Sequence, residues 1–207
     1  FNYRQIEGKK IIVRRAEEGE TIVTLDGAKR VLSRDMLVIA DEKQAMAIAG
    51  VMGGAESEVT GETTAILLES ANFNPPNIYY TGNTLNLPSE ARLRFERGIS
   101  PELTIPALKR ATQLLVQLAG GKAAKGLVDE YPGRQERKPI LLSIAKVNNF
   151  LGVEFSLDQI KEALASLGFD CQPADSAVWV TAPYWRSDIH LAEDLVEEVA
   201  RVIGYDK

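Results

Sequence analysis

The densest group of chemically capable side chains lies near the end of the chain, where carboxylates recur at helical spacing. Asp194, Glu197 and Glu198 stand at i, i+3 and i+4, so a helix would project them from one face. Asp188 lies just before the first turn of that helix. Such a group is typical of a hard-cation site or a partner-binding surface. An ordinary solvated acidic face is the alternative, because Glu197 can pair with Arg201 one turn later.

A second candidate group is the glycine-rich stretch 47–59, AIAGVMGGAESEV. Its glycines lack the spacing of a dinucleotide-binding loop, and no Lys-Ser or Lys-Thr pair follows, as a phosphate-binding loop requires. Glycines after an apolar strand mark a sharp turn or a close approach of a ligand to the backbone, and residue types alone favour the turn. Glu69, further along the chain, is by itself typical of an exposed acid at the end of a strand.

Strands are the elements that must position the groups in the first half of the chain. Asp26 and Gly27 indicate a tight hairpin, because both residues tolerate positive φ. A polar loop is predicted around 74–77, and a helix over 101–118 that stops at a glycine pair, 120–121. The predicted strands are 11–13, 21–25, 30–32, 36–40, 45–49 and 65–68.

The segment 131–138 is polar and carries Pro and Gly, so we predict a linker between two domains there. The helices and strands predicted beyond it are 143–151, 156–167, 169–172, 178–181 and the acidic helix that stops at Gly204. Ser156 and Gln159 form a capping box, and Gly168 is the matching stop. The chain is therefore predicted to be α+β, with a mixed sheet followed by a small winged-helix-like α+β domain.

Composition excludes several classes of protein. The 207 residues carry a formal charge of −5, which argues against wrapping nucleic acid through a general positive field. No apolar run approaches the ~20 residues that span a bilayer, and the first residues lack a signal-peptide core, so we expect a cytoplasmic protein with no membrane partner. Cys171 is the single cysteine and is predicted to be a buried apolar residue without a disulfide. His190 is the single histidine, which excludes histidine-rich metal sites.

The residues around the acidic helix form a specific series: Pro-x-Trp-Arg-x-Asp-Ile, then Asp-Leu-x-Glu-Glu-x-Ala-Arg, then Gly-Tyr-Asp-Lys. The letters of this series are Pro183, Trp185, Arg186, Asp188, Ile189, Asp194, Leu195, Glu197, Glu198, Ala200, Arg201, Gly204, Tyr205, Asp206 and Lys207. The series resembles the end of the fifth domain in the beta chain of bacterial phenylalanyl-tRNA synthetase. The resemblance implies that this half of the chain is that domain.

Three segments of the first half, 47–54, 67–73 and 94–98, are similar in sequence and order to landmarks of the editing domain of the same beta chain. In this family the editing domain hydrolyses tyrosyl-tRNA made in error by the phenylalanine site. The likeness covers essentially the whole chain. The division it implies is the later part of the editing domain at 1–130, the linker at 131–138 and the fifth domain at 139–207.

The resemblance also implies roles for single residues in the editing pocket. Glu69 corresponds to the glutamate that accepts the hydrogen of the tyrosine phenol, which lets the pocket reject phenylalanine. The small residues that match the lining of the amino-acid pocket are Ala49, Gly50 and Gly53. Ser89 and Ala91 fall where the family has Thr-x-Ala near the terminal adenosine of tRNA.

The sequence departs from the family pattern near this point. Arg92 stands where the family commonly has a serine, and Ser100 replaces an aspartate. Arg92, Arg94 and Arg97 are candidates for phosphate contacts. Pairing with nearby glutamates, as in an ordinary surface network, is the alternative.

For the acidic helix the resemblance implies a magnesium site, with part of the coordination shell supplied by the alpha chain and weak binding in isolation. The implied ligands are Asp188, Asp194, Glu197 and Glu198. The whole enzyme joins phenylalanine to tRNA(Phe) with ATP and Mg²⁺, as a heterotetramer of two alpha and two beta chains. The ATP-binding core lies on the alpha chain in this family, so aminoacylation is not expected in these residues.

We expect the chain to be a piece of a longer polypeptide, because it starts at Phe1 without a methionine. The editing histidine of the family lies just upstream of that position, so the fragment alone is expected to edit poorly or not at all. Two rival interpretations remain open, a noncatalytic RNA- or DNA-binding module and a structural spacer that contacts the alpha chain. The acidic last helix disfavours the first, and no DNA partner is expected.

Overall fold

The computed structural model describes residues 1–134 and 136–204. The chain divides into two compact units, Phe1–Ala123 and Ala124–Lys207, each with its own apolar core. Antiparallel sheets are combined with helices that do not alternate regularly with the strands, so the predicted α+β class is confirmed. The motif residues Tyr205, Asp206 and Lys207 lie outside the described residues.

The first unit is built on an antiparallel sheet of four strands in the order β1-β4-β5-β6, beside a two-stranded hairpin of β2 and β3. The strands are β1 (Ile12–Arg15), β2 (Thr21–Val23), β3 (Lys29–Val31), β4 (Leu37–Ala40), β5 (Ala45–Ile48) and β6 (Met52–Gly53). β4 and β5 each bury three of four residues, as central strands do. Their side chains form the core of this unit together with residues such as Met36, Ile78 and Leu87.

The predicted tight turn of the hairpin is present. Gly27 has a φ of +79°, and the Asp26 carboxylate accepts from the Thr24 hydroxyl at 2.7 Å and from the guanidinium of Arg30 at 2.8 Å. The strand predicted over 65–68 is wrong, because this segment forms a single bridge, between Ile66 and Asn2, and a few backbone hydrogen bonds to residues 1–3 rather than a strand. This segment is too exposed to be the buried strand that its apolar residues indicated.

Three helices complete the first unit: α1 (Pro75–Thr84), α2 (Glu90–Phe95) and α3 (Thr104–Ala119). The polar loop predicted around 74–77 is instead the start of α1, where the Asn74 side chain accepts from the backbone N–H of Asn77. Pro75 is tolerated at the first helical position, since its missing N–H has no partner there in any helix. The predicted helix over 101–118 is confirmed, and it stops at Gly120, whose φ is +62°.

In the described part of the second unit, three helices pack on a three-stranded antiparallel sheet in the order β7-β9-β8. Its elements are β7 (Ile140–Ser143), α4 (Ile144–Leu151), α5 (Leu157–Ser166), β8 (Asp170–Ala174), β9 (Ala177–Thr181) and α6 (Ala192–Ile203). The capping box of Ser156 and Gln159 is present at the start of α5. Leu195 and Val199 project from α6 into the core, where both are fully buried.

The segment between α3 and β7 is exposed along most of its described length and includes the predicted linker, 131–138. Arg137 anchors its end to the second unit by donating to the backbone oxygens of Ala182, Pro183 and Tyr184, the last at 2.8 Å. Cys171 is half-buried on β8 rather than fully buried as predicted. Within the described residues, the helices are all too short or too polar to cross a membrane.

Candidate functional site

A cavity of about 580 Å³ opens beside the sheet of the first unit. Its lining is mainly apolar and includes Phe1, Leu25, Met52, Phe73, Phe95 and Leu103. The residues predicted for an editing pocket that also line it are Gly50, Gly53, Glu69, Ser89 and Ala91. The structure thus brings to one place residues that are separated by up to 41 positions (from 50 to 91) in the sequence.

Glu69 is the acidic residue in the cavity lining. Its side chain is exposed to solvent and has no hydrogen bond or ion pair with any other residue in the described part of the chain. Protein atoms around the carboxyl partly exclude water from it, which disfavours its charged form and raises its pKa. The neighbouring Ser70 hydroxyl is already engaged, since it donates to the Thr104 carbonyl at 2.8 Å. Glu69 is therefore a hydrogen-bond acceptor held at an apolar wall and left free for another molecule.

The two glycines predicted to line the pocket, Gly50 and Gly53, differ in how strongly the fold requires a small residue. Gly50 has a φ of +67°, and a Cβ there would lie 2.7 Å from the Phe73 ring and 2.8 Å from Ile78. The fold itself therefore requires glycine at this position. Gly53 has no such φ, and a Cβ would meet only Leu25, at 3.2 Å.

Ala49, by contrast, is not among the lining residues. It is 1% exposed and belongs to the core at the end of β5, so its methyl group faces the packed interior of the first unit. The prediction that Ala49 lines the pocket is corrected on this point. Packing in the core next to the cavity wall accounts for its small size.

Ser89 and Ala91 reach the cavity from the start of α2. The Ser89 hydroxyl donates to the Val51 carbonyl at 2.6 Å and accepts from the backbone N–H of Arg92 at 3.0 Å. Its single hydrogen is therefore used within the protein, and what it offers a ligand is an acceptor lone pair. Ala91 presents a methyl group to the same side of the cavity.

Two aromatic residues of the wall were not singled out from the sequence. Phe73 and Phe95 meet edge to face, with ring centroids 4.9 Å apart and planes at 75°. Such pairs add a modest stabilisation beyond burial. Both residues lie inside the segments 67–73 and 94–98 that carried the resemblance, and that position is the signal that identifies them.

The acidic residues of the second unit are arranged differently. Arg186 donates to both oxygens of Asp188, at 2.9 and 2.6 Å, and to both oxygens of Glu198, at 2.9 and 3.0 Å. Arg201 adds a further contact to Glu198 at 2.6 Å. These two arginines lower the pKa of Glu198 to about 2, and Arg186 also lowers that of Asp188. The guanidinium of Arg186 lies over the Phe169 ring, 5.6 Å from its centroid.

The other two predicted metal ligands do not join this cluster. Asp194 accepts from the backbone N–H groups of His190 and Leu191, both at 2.8 Å, and these bonds lower its pKa. Glu197 is exposed on α6. Within 1–134 and 136–204, no three potential ligands are close enough together to hold a metal ion. As arranged here, the carboxylates fit arginines and backbone amides rather than Mg²⁺, so the magnesium site stays a prediction.

Two family models match the chain, the B3/4 domain over residues 1–120 and the tRNA synthetase B5 domain over residues 140–205. Since the first covers more than half of the residues, the chain belongs to the B3/4 domain family. Its fold is also similar to that of an N-terminal fragment of the phenylalanyl-tRNA synthetase beta-subunit from Pyrococcus horikoshii, with a TM-score of 0.55, 17% sequence identity, and coverage of 99% of this chain and 59% of that chain.

Comparison with curated sequences gives a more specific similarity than the fold does. The chain is 47% identical to the phenylalanine–tRNA ligase beta subunit of Dehalococcoides mccartyi (strain CBDB1), over 99% of this chain and 27% of that protein. It is 45% identical to the beta subunit of Moorella thermoacetica, over 100% of this chain and 26% of that protein. The chain thus spans about a quarter of the length of these relatives. The resemblance to the phenylalanyl-tRNA synthetase beta chain that the motifs indicated is confirmed.

Proposed function

We propose that the chain acts within a phenylalanine–tRNA ligase beta subunit and contributes the amino-acid pocket that edits mischarged tyrosyl-tRNA(Phe). The observation that carries this proposal is the acidic side chain of Glu69, which has no partner among the described residues and lines an open apolar cavity. Glu69 is exposed to water, and the protein around it disfavours the charged form and raises its pKa. A ligand that displaces that water and donates a hydrogen bond to the carboxyl restores the contact that the water made.

The geometry suits the side chain of tyrosine. The apolar walls formed by residues such as Met52 and Phe95 accept an aromatic ring, and Glu69 accepts the phenol hydrogen. Phenylalanine fills the same space but leaves the carboxyl without a donor. A pocket built to bond a hydroxyl rejects a ligand that lacks it far more strongly than an apolar pocket rejects a small change of size.

The other parts of the proposed reaction lie outside this cavity. Ester hydrolysis needs a positioned water and a group that takes its proton, and His190, in the second unit, lines no part of the cavity. We assign to this chain recognition of the aminoacyl group of tRNA. Attachment of phenylalanine with ATP and Mg²⁺ is assigned to the assembled enzyme with its alpha chain, and the second unit to contacts with tRNA or that chain.

A purely RNA-binding role is less well supported by the side chains. Arg92 and Arg94 are paired with Glu96 and Glu90, at 2.9 and 2.5 Å, as the surface-network alternative predicted. Arg97 is exposed and makes no ion pair within the described residues. Of these three candidates for phosphate contacts, Arg97 alone has no ion pair among the described residues, which is little support for RNA binding at this place.

Titration with a non-hydrolysable tyrosyl-adenosine analogue tests the editing proposal. We expect the chain to bind it more tightly than the phenylalanyl analogue, and Glu69→Ala to weaken tyrosyl binding about tenfold or more while leaving phenylalanyl binding unchanged. Glu69→Gln, which keeps an acceptor oxygen, should retain part of the preference. Glu62→Ala is the matched control, because Glu62 is an exposed acid of the same unit outside the cavity. Equal binding of the two analogues by the unmodified chain would remove the editing proposal.

A further inference from the structure

The short helix α2 forms one rim of the cavity but buries none of its own residues. A helix of 6 residues has too few internal hydrogen bonds to be stable alone, so contacts with neighbouring elements determine its position. Ala91 and Phe95 are the α2 residues in the lining. The contacts that fix α2 therefore also fix the width of the cavity at this rim.

Arg92 joins α2 to α1, although it does not line the cavity itself. Its side chain is 14% exposed, and its guanidinium donates to the backbone oxygen of Leu87 at 3.3 Å and to the side-chain oxygen of Asn83. Its Nε donates to the Glu96 carboxylate at 2.9 Å. One side chain therefore ties together the end of α1, the connecting loop and α2.

Gly82 on α1 provides the space for this guanidinium. A Cβ at that position would lie 2.7 Å from Cζ of Arg92, which is closer than the two atoms can approach. The backbone of Gly82 does not have a positive φ, so the conformation of the chain does not require glycine. Glycine inside a helix costs about 1 kcal/mol relative to alanine. Contact with the Arg92 guanidinium is the reason that the structure offers for it.

Building on the proposed function, we propose that Arg92 is a positioning residue: seated against Gly82, it places Ala91 and Phe95 and so sets the width of the cavity that receives the aromatic ring. Two further contacts hold the ends of α2, the bond of Ser89 to Val51 and the packing of Phe95 on Phe73. Arg92 controls the part of the helix between them.

Methyl and aromatic NMR spectra of the whole chain test this proposal without any ligand. We expect Arg92→Ser to shift the Ala91 methyl and Phe95 ring resonances, while the resonances of β4 and β5 stay in place. Gly82→Ala should cause similar shifts by displacing the guanidinium. The same substitution in an Arg92→Ser background should add little, because the group it displaces is already gone.

Arg94→Ser is the matched control for these spectra. Arg94 lies on the same helix and also pairs with a glutamate one turn away, Glu90, but both side chains are exposed, and the Arg94 hydrogen bonds within the described residues go to Glu90 rather than to α1. Its loss should shift the Phe95 ring resonances much less than Arg92→Ser does. If Arg92→Ser leaves the Ala91 and Phe95 resonances where they are, the proposal is wrong, whatever the chain binds.

Binding of the tyrosyl-adenosine analogue gives the functional readout. We expect Arg92→Ser and Gly82→Ala each to weaken it about fivefold to tenfold, and the pair together to weaken it no further. Unfolding midpoints near that of the unmodified chain would show that the loss is local. If the unmodified chain binds no analogue, the editing proposal fails, while the spectra still decide the role of Arg92. Unchanged affinity in both single variants overturns the link between Arg92 and the cavity.

Discussion

Two glutamates, one in each unit, show opposite uses of a carboxylate. Glu69 lines a cavity without a partner among the described residues, and its pKa is raised because crowding by protein disfavours the charge. Glu198 is 7% exposed, is bonded by Arg186 and Arg201, and has a pKa lowered to about 2. Glu198, whose hydrogen bonds are made within the protein, therefore stabilises the fold, while Glu69, which has none, is the acid available to a ligand.

Removal of Arg186, the partner of Glu198, should have the largest effect on stability. Arg186→Ala leaves Glu198 and Asp188 without their shared partner, so we expect the second unit to lose about 3 kcal/mol of stability. Both tryptophans of the chain, Trp179 and Trp185, lie in this unit, and their fluorescence during urea unfolding measures the loss. Lys146→Ala, which removes the exposed pair with Glu193, is the control and should cost far less stability than Arg186→Ala, because water screens this pair. Equally small losses of stability in the two variants would contradict a structural role for the Glu198 carboxylate.

Substitutions of the two cavity glycines distinguish an effect on the stability of the fold from an effect on ligand binding. Gly50→Ala should destabilise the first unit by about 2 kcal/mol, since it forces a side chain into positive φ and against Phe73. Gly53→Ala should cost less than about 1 kcal/mol but weaken binding of the tyrosyl analogue, because its methyl group narrows the cavity. Hydrogen exchange of the β4 and β5 amides measures the stability. Similar exchange in the two variants would contradict the assignment.

Acid should change the contributions of the two glutamates to stability in opposite directions. Because the folded pKa of Glu198 lies near 2 and below its unfolded value, its contribution is complete above about pH 4.5 and is lost as the pH falls towards 2, by about 3 kcal/mol. The raised pKa of Glu69 means that protonation relieves a cost, so its contribution to the first unit improves as the pH falls. Tryptophan fluorescence and amide exchange, followed over this range, report the two units separately. Glu198→Gln should flatten the pH dependence of the second unit only.

Addition of Mg²⁺ should have the smallest effect on stability. Because Arg186 occupies both Asp188 and Glu198, we expect millimolar Mg²⁺ to leave the unfolding midpoint of the second unit unchanged in the chain alone. A clear rise in that midpoint, reversed by a chelator, would show instead that the ion displaces the arginine. The four predicted ligands would then regain the role that the resemblance implies.

Much of the fold followed from local rules in the sequence. The hairpin at Asp26 and Gly27, the capping box of Ser156 and Gln159 and the stop at Gly168 each depend on residues that are adjacent in the chain. Their physical cause lies within a few residues, so a single sequence contains it. The strand predicted over 65–68 failed because its pairing depends on a partner outside the local segment.

The helices α1 and α2, which lack a clear apolar periodicity, were not predicted from the sequence. The start of α1 contains Pro75 and Pro76, which are typical of loops, and the Asn74 cap shows its meaning only once the helix is known. α2 is too short to display a period. The pocket residues were named from the resemblance alone, since no local pattern relates Gly50 to Glu69 or Ala91. The competition of Arg186 for the acidic residues was not predicted, because Asp188 and Glu198 meet it only after folding.

The anchoring of Arg137 to three successive carbonyl groups has a practical consequence for proteolysis. Lys122 and Lys125 lie in an exposed stretch without secondary structure, where trypsin finds an accessible backbone. Arg137 holds the chain against the loop after β9, so cleavage there requires that loop to open first. Brief digestion should therefore release a stable carboxyl-terminal fragment that keeps Arg137, suitable for crystallisation and for isotope labelling on its own.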